Sequence, residues 1–566
     1  PKKDPKPQML LEGEQLRDYS DVFSSFHELF SGSYVNSAHF DYMGSLREIY
    51  TLFGKHVSQL DNVDSYLDRY KFSMAPLELS PNDILSMNDS RQLLMYAAKT
   101  DLNLNLFMER QNTFIQNMNL IKNGNDNSET EFHASKSLYY RVVKTRNEVY
   151  DIVTRSFLRK RNWLELPHGV NLRTTWNLLW TWSKPEIDMG KLLYFQKVNH
   201  FPGNKAIVRK DLLKKNLEKI QKLGQKAASA FDIIPLTFAL PKEISAFMAC
   251  FYEGSLKDKA MNVWIMKPIG KSRGRGISLI NDLIDLKYTE QVVVQKYLRN
   301  PMLLQGYKFD MRIYVLVTSI MPLEVFIYKE GFARMSTAQF TLDPSDLSNN
   351  YIHLTNYAIQ KYNQDAFGGT SEGIMGGTKI SLKTLRTKLE GKGVRWSHIW
   401  EQVCDIVLKS LISCQGEIPH NPNCFELFGY DIIIDTDQRC WLLEVNSSPS
   451  LSREHLIDDI IKQQLIDDTI DLVNPLFFDR QRLVEVLERR IKEEQGCKSK
   501  INTQNNSKVQ LNRDLQYILC DQPVRKVGEM PKIMGNYERI APSEKCDKFT
   551  KLVQSYKLPP SRQNKP

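Results

Sequence analysis

The chain has 566 residues, a formal net charge of +10, 42% hydrophobic and 25% charged residues, which fits a globular protein of two or three domains and excludes a disordered or fibrous one. It has no run of about 18 apolar residues, so a membrane span is not expected. Its eight cysteines are scattered without Cys-x-x-Cys spacing, so neither zinc nor a disulfide framework is indicated, and a reducing cytosolic setting is expected. The start, Pro1-Lys2-Lys3-Asp4-Pro5-Lys6-Pro7, is followed by no apolar secretory run.

Residues 1–130 read as an N-terminal extension of short helices and loops, from patterns such as Ser45–Phe53 and Ser90–Tyr96. The polar stretch Lys122–Glu129 reads as a linker. Tyr139–Leu158 carries apolar residues at helical spacing, and Trp176, Trp180 and Trp182 mark a packed segment. Arg209–Lys226 reads as a basic amphipathic helix, and 260–330 as helices and buried strands in alternation. The glycines of 365–378 are too irregular for a phosphate fingerprint and suggest a mobile loop. Long helices are expected at about 395–413, 454–473 and 480–495. From Asp479 onward there are 19 Lys+Arg against 11 Asp+Glu, so a basic tail is expected to attract anionic partners. No nucleic-acid motif accompanies that charge, and no nucleic-acid partner is expected.

Several segments carry chemistry. Trp264–Pro268 reads as a strand delivering Lys267, followed by the small-residue turn Ser272-Arg273-Gly274-Arg275-Gly276-Ile277, whose backbone could approach a phosphate closely. A plain turn would have the same sequence. Val292–Leu298 is a buried-strand pattern ending in polar groups, which could meet an adenine edge. Lys308, Asp310 and Arg312 alternate with Met311, Ile313 and Val315, so three charges share one face of a strand, a costly arrangement unless they are paired or meet a ligand. Arg334 and His353-Leu354-Thr355-Asn356-Tyr357 add polar groups between apolar strands. In Gly429–Leu451, a hairpin turning at Thr436–Arg439 pairs Asp435 with Cys440 and so sets Asp431 opposite Glu444, with Asn446 on the same face. Two carboxylates and a carboxamide beside a phosphate suit magnesium; a solvated polar hairpin face would read the same way.

The ordered set of these motifs resembles the tubulin tyrosine ligase-like family, over roughly residues 170 to 475. That resemblance implies a mixed α/β ATP-grasp fold with N-terminal, central and C-terminal subdomains, its mixed and antiparallel sheets flanked by helices. The domains expected are a mainly helical extension at 1–130, a catalytic domain at 131–475, and a basic tail at 476–566, helical and then partly disordered. ATP and Mg2+ are the implied cofactors. Lys210 and Lys267 are similar to the family's phosphate-facing lysines; Ser272, Arg275 and Gly276 fall in its glycine-rich turn. Gln295, Lys296, Tyr297 and Leu298 resemble the adenine hinge, and Lys308 and Asp310 the groups reaching phosphate and ribose. Thr355 and Asn356 resemble a polar clamp on the nucleotide, and Arg312 and Arg334 the arginines near the transferred phosphate and incoming amino acid. Asp431, Glu444 and Asn446 resemble the metal ligands, with Glu444 also counted as catalytic.

Two departures stand out: Arg275 where many relatives have lysine, and Ala358-Ile359-Gln360-Lys361 in place of a commoner serine- and asparagine-bearing version. Neither removes a metal ligand or a phosphate-facing lysine, so an active enzyme is expected. Family members use ATP to convert a carboxylate to an acyl phosphate, which the amine of a free amino acid attacks. The pattern looks most like the glutamylating branch, with the acidic tails of tubulin as acceptor, free glutamate as donor, and microtubules or a cilium as location. A tubulin glycine ligase and a catalytically silent microtubule or ciliary structural protein are the alternatives.

Overall fold

The computed structural model describes residues 138–556 except 144–145, 162, 166–175, scattered positions in 186–194, 259–261, 272–273, 364–377 and most of 480–503. The expectations for 1–130, for the glycine-rich loop at 365–378 up to its last residue, for most of the helix at 480–495 and for Ser272 lie outside the described residues.

The segment with helical spacing from Tyr139 begins as a strand. Tyr139–Val143 (β1) is aromatic and β-branched, and pairs in parallel with Leu164–Glu165 (β2) and Leu178–Thr181 (β3); β3 in turn pairs with Lys197–Val198 (β4). The helix proper, Asn147–Arg161 (α1), starts only after it. Trp176 and Trp180 are buried as expected of a packed segment. The basic helix is also shorter than its sequence pattern: Lys210–Gln221 (α2) stops before Gly224, and Gln225–Ala230 (α3) is a separate short helix.

Next comes a small antiparallel sheet built from Thr237–Leu240 (β5), Trp264–Pro268 (β6), Ser278–Ile280 (β7) and Val292–Lys296 (β8), in the order β5-β8-β6-β7. Ile244–Asp258 (α4) covers one face, where Phe247, Phe251, Trp264, Met266 and Val294 form a core of their own. The other face is left to the cleft.

The central sheet begins with Leu303–Leu304 (β9), Tyr307–Ser319 (β10) and Glu324–Gln339 (β11). After the short helix Tyr357–Gln360 (α5) come Lys379–Ser381 (β12), Leu382–Glu390 (α6) and Trp396–Cys414 (α7). Glu426–Ile434 (β13), Cys440–Asn446 (β14) and Leu456–Val473 (α8) follow, and the strand order is β12-β11-β10-β13-β14. On β10, Phe309, Met311, Ile313, Val315 and Val317 point into a core shared with Ile399, Val403, Val407 and Leu411 of α7. The opposite face of the same strand changes character along its length. Lys308, Asp310 and Arg312 lie at one end, while Tyr314 and Leu316 pack with Ile461, Leu465 and Ile466 of α8 at the other.

The segment read as a basic tail joins this sheet. After Gln504–Ile518 (α9), Tyr537–Ala541 (β15) pairs antiparallel with Val325–Tyr328 of β11, and Glu544–Ser555 (α10) packs beside α7. Arg525 holds the fully buried Glu324 with two 2.8 Å bonds, and Gly528 N–H adds a third. Glu324 sits at the start of β11, so a cation from 201 residues downstream neutralises a carboxylate that burial would otherwise make costly.

Candidate functional site

The cleft lies between the free face of the small sheet and the charged half of the central sheet. It encloses about 850 Å³ including the part open to solvent, within the range of small-molecule sites. Its lining brings together Lys210, Lys267, Arg275, Gln295, Lys296, Tyr297, Leu298, Lys308, Asp310, Arg334, Thr355, Asn356, Asp431 and Glu444, all singled out from sequence. Arg312, Gly276 and Asn446 stand just behind that lining, bonded or adjacent to residues in it.

Each sheet delivers one lysine, Lys267 from the small sheet and Lys308 from the central one. Lys267 is nearly buried and donates to Gln295 Oε1 at 2.8 Å, while Gln295 Nε2 donates to Thr237 Oγ1 at 2.9 Å, so both ends of the carboxamide are fixed. Burial lowers the Lys267 ammonium to about 8, with neighbouring Lys210 adding to the effect. Lys308, from β10, donates to Tyr297 Oη at 2.9 Å and to the His353 carbonyl at 2.7 Å. Burial pushes it down to about 7, against the pull of Asp310. Tyr297 Oη lies 3.1 Å from His353 Nδ1, and His353 Nε2 lies 3.1 Å from the Asp346 carbonyl. A carbonyl only accepts, so Nε2 carries the proton and Nδ1 receives the Tyr297 hydroxyl. Burial, then Lys308, lowers His353 to about 4 and keeps it neutral. Among the described residues neither Lys267 nor Lys308 has a carboxylate within 4.0 Å.

Lys296 lines the cleft but directs its side chain elsewhere. Its ammonium turns to Asn262 Oδ1, 2.7 Å away, and lies over the Trp264 ring, so its side chain braces the small sheet. Ile265, Ile277, Leu354 and Leu443 supply apolar wall that the motif reading did not single out. The glycine-rich turn is real. Gly274 has φ +76°, and a Cβ there would lie 2.5 Å from Ile359 Cδ1 and 3.2 Å from Asn356 Oδ1, so the turn is seated on the Asn356–Gln360 segment.

The central sheet presents opposite charges in register. Asp310 lies opposite Arg334 and Arg312 opposite Asp431. Arg312 binds Asp431 through Nε at 2.6 Å and Nη2 at 3.1 Å; Arg334 binds Asp310 through Nε at 2.8 Å and reaches Asp431 with Nη2 at 2.9 Å. Gly429 makes room for this, because a Cβ there would lie 3.2 Å from Arg312 Cδ. Burial and the nearby Glu444 raise the Asp431 carboxyl despite the two arginines. Burial also acts upward on Glu444, but Lys210, whose Nζ is 2.8 Å from Oε2, outweighs it and holds that carboxyl well below the usual range.

The hairpin reaches its expected opposition of Asp431 and Glu444 by a different route. The turn-side pair is Ile434 with Cys440, one residue short of the expected Asp435 pairing. Asp435 is occupied by the turn itself, accepting from Asp437 N–H, Arg439 N–H and the Trp441 indole. A bulge at Leu443 then restores the offset, setting Asp431 against Glu444 and Gly429 against Asn446. Asn446 Nδ2 lies 3.3 Å from Glu444 Oε1.

These residues fit a hard divalent cation in part. Two opposed carboxyls that perturb each other, with a carboxamide beside one of them, are an oxygen donor set suited to magnesium. Among the described residues no group of three His, Cys, Asp or Glu could hold a metal, so a ligand's phosphate oxygens would have to complete the shell.

A small antiparallel sheet closing over a central sheet, with lysines from both facing the cleft and opposed carboxylates on the central one, defines a mixed α/β protein of the ATP-grasp-like class. The family model for the tubulin-tyrosine ligase family matches residues 187–482, and the chain belongs to that family. It is similar to the probable tubulin polyglutamylase TTLL2 of Homo sapiens, 36% identical over 340 residues, covering 60% of this chain and 56% of the relative. Similarity extends to tubulin polyglutamylase TTLL5 of Homo sapiens, 35% over 347 residues, covering 59% and 26%, and to tubulin polyglutamylase ttll6 of Danio rerio, 34% over 393 residues, covering 67% and 48%. The chain thus spans about half or less of the length of these relatives. No helix among the described residues is long and apolar enough to cross a membrane.

Proposed function

We propose that the chain is an ATP- and Mg2+-dependent ligase that joins the α-amine of free glutamate to glutamate side-chain carboxylates in the acidic tails of tubulin, acting at microtubules. The observation that carries this reading is the pair Lys267 and Lys308, two nearly buried ammonium groups that face the cleft with only neutral oxygens as partners. Buried cations without an anion are costly, and a polyphosphate would relieve that cost. The relatives' names, tubulin polyglutamylase, support the choice of acceptor and amino acid.

In this reading the apolar wall of Ile265, Ile277, Leu354 and Leu443 takes the base, and Lys210, Lys267 and Lys308 hold phosphate oxygens. Asp431, Glu444 and Asn446 would hold magnesium, which when bound neutralises phosphate charge. An oxygen of the acceptor carboxylate attacks the γ-phosphorus while the bond to the ADP oxygen breaks, giving an acyl phosphate. The glutamate amine then attacks the acyl carbon, the carbon–oxygen bond to phosphate breaks, and the amine gives up a proton as phosphate leaves. Positioning and charge neutralisation by Arg312, Arg334 and the lysines suffice, with no nucleophile from the chain. His353, tied between Tyr297 and the Asp346 carbonyl, has a structural role. Exposed Lys215, Lys222 and Lys226, on and just beyond the helix that starts at Lys210, offer a docking face for an acidic tail.

Tubulin incubated with the protein, MgATP and each of glutamate, glycine and tyrosine in turn, and read by mass spectrometry, tests the proposal. Additions of glutamate mass are expected. Glycine additions alone would reassign the donor, and no addition with any of the three would overturn the ligase reading. Co-sedimentation should favour intact over tail-cleaved microtubules; equal binding would remove the docking face.

A further inference from the structure

A second group of buried charges lies one strand outside the cleft. Lys379 on β12 stands directly opposite Arg334 on β11, which in turn stands opposite Asp310 on β10, so the charged face of the central sheet continues to the sheet's edge. Lys379 is 6% exposed, Lys462 of α8 is 4% exposed, and both bind Asp458, which is fully buried, at 3.0 and 2.7 Å. Two ammonium groups thus share one buried carboxylate. Lys462 also donates to the Ser452 carbonyl at 2.5 Å and lies over the Phe332 ring, while Lys379 lies 4.0 Å from the centre of the Tyr357 ring. Tyr357 directly follows Thr355 and Asn356 of the cleft and has His455 against it edge-on.

The remaining positive charge is only loosely met. Glu454, at the more open side, holds its carboxylate 3.7 Å from Lys379 Nζ, beyond hydrogen-bond distance, and is itself partly exposed. Packing alone does not call for this arrangement, because apolar side chains of the same volume commonly serve a fold as well as a buried ion group does. A nearly buried lysine beside an arginine that lines the cleft, with a surface carboxylate half-held against it, is instead the pattern of a site for an exchangeable carboxylate.

We propose that Lys379 and Lys462 form a carboxylate-binding subsite at the outer edge of the central sheet, with Glu454 standing in for a carboxylate of the acidic substrate. The source of that carboxylate is the free amino acid or the acceptor peptide, and the subsite rests on the ligase reading only for the identity of these two ligands. Arg334 and Lys379, side by side on adjacent strands, would then face the two ends of one acidic ligand or two neighbouring ones. A donor with no side-chain carboxylate, such as glycine, would leave Lys379 with Glu454 alone.

The test uses the full chain with a non-hydrolysable ATP analogue and Mg2+, titrated calorimetrically with L-glutamate and, separately, with a glutamate-rich peptide. Lys379→Met should weaken one of the two by about tenfold or more, the loss of a charged hydrogen bond, and leave analogue binding within about twofold. Lys379→Arg should recover much of that loss, and Glu454→Gln should tighten the same ligand by about two- to threefold through loss of the internal competitor. Whichever ligand responds identifies the source. A folded Lys379→Met variant that binds both ligands as wild type does overturns the subsite, as does an equal loss for the nucleotide analogue. Should Lys379→Met fail to fold, Glu454→Gln decides, and unchanged affinity for both ligands overturns the proposal. Wild type that binds in a Lys379-dependent way yet adds nothing to tubulin refutes the ligase reading and keeps the subsite. Normal incorporation, with neither KM changed by Lys379→Met, does the reverse.

Discussion

The two walls of the cleft handle buried charge in opposite ways. On the lysine wall Lys267 of the small sheet and Lys308 of β10 have neutral partners and are pushed down to about 8 and about 7 by burial. On the carboxylate wall, the rest of the central sheet's charged face, Asp310, Asp431 and Glu444 are each held by an arginine or a lysine of the chain. The first wall carries a cost that a ligand would remove, whereas the second has already satisfied itself and must exchange partners to accept a cation. It follows that substitutions on the lysine wall should chiefly affect binding, and those on the carboxylate wall should divide between activity and fold according to how many cations each carboxylate holds.

The largest effects belong to the carboxylate wall and would break the comparison if they did not separate. Glu444→Gln removes a carboxylate, a metal ligand in the proposed mechanism, that a single, partly exposed lysine holds. Incorporation of glutamate into tubulin should fall by roughly 100-fold or more, with a loss of stability smaller than that of Asp431→Asn, since one lysine rather than two arginines loses its partner. Asp431→Asn instead leaves Arg312 and Arg334 with less charge than they were built around. Unfolding by urea should show a loss of about 3–5 kcal/mol. Equal stability losses for the two variants would mean that the walls do not differ as described.

The lysine wall comes next in size. Lys308→Met should weaken ATP binding by about 10- to 100-fold, as expected for a charge-assisted phosphate contact, measured by titration of a fluorescent nucleotide. Its stability should hold or rise, because the ammonium it removes is buried without a carboxylate within 4.0 Å among the described residues. A marked loss of stability would show that the bond to the His353 carbonyl matters more to the fold than to a ligand.

The pH dependence sharpens the same contrast. Lys308 and Lys267 titrate near 7 and 8 in the folded chain but near 10.4 when unfolded. Between those values the unfolded chain binds more protons, so these lysines make stability rise with pH from about 7 to about 10. Nucleotide affinity should fall over the same range as the ammonium groups lose their protons. His200 acts the other way: burial lowers it, but Glu426 outweighs burial and raises it. Its contribution is full below about 6.5 and is lost as pH rises through the folded value. Comparing the stability–pH curves of wild type and Lys308→Met isolates the lysine. A difference that stays flat above pH 7 would remove the claim that burial depresses it.

What was legible in the sequence was local and periodic. The alternation at Lys308–Val315 placed three charges on one face because a strand has period two wherever it lies, and the structure agrees. The opposition of Asp431 and Glu444 was reached from a turn that the chain does not make. Asp435 caps the turn with its own side chain, and the bulge at Leu443 supplies the missing residue, so two departures cancel. A bulge leaves little trace in a sequence, since the extra residue looks like any other member of the alternation. Tyr139–Val143 and Tyr537–Ala541 were not read as strands, because the pairing that makes them strands is supplied by residues distant in the chain. Lys379 carried no signal at all. A lone lysine before Ile380-Ser381 gains meaning only from Arg334 on the next strand and Asp458 on a helix 79 residues later.

The smallest predicted effect lies where the walls meet. Gly274 sits in the turn that closes the small sheet, at φ +76°, and a Cβ would press on Ile359 Cδ1 and Asn356 Oδ1. The isoleucine methyl is the mobile end of its side chain and can yield, so the expected cost of Gly274→Ala is mainly the left-handed backbone, about 1 kcal/mol. That cost should be local. Among the described residues the turn contributes nothing to the core that α4 covers, so the global denaturant midpoint should hardly move. It does seat the Lys267 wall against the Asn356 segment, and loosening that contact should speed nucleotide release by about two- to fivefold, read by stopped flow. If unfolding shifts and the release rate does not, the turn belongs to the scaffold, and the boundary between the two walls lies farther into the cleft, at Thr355 and Lys308.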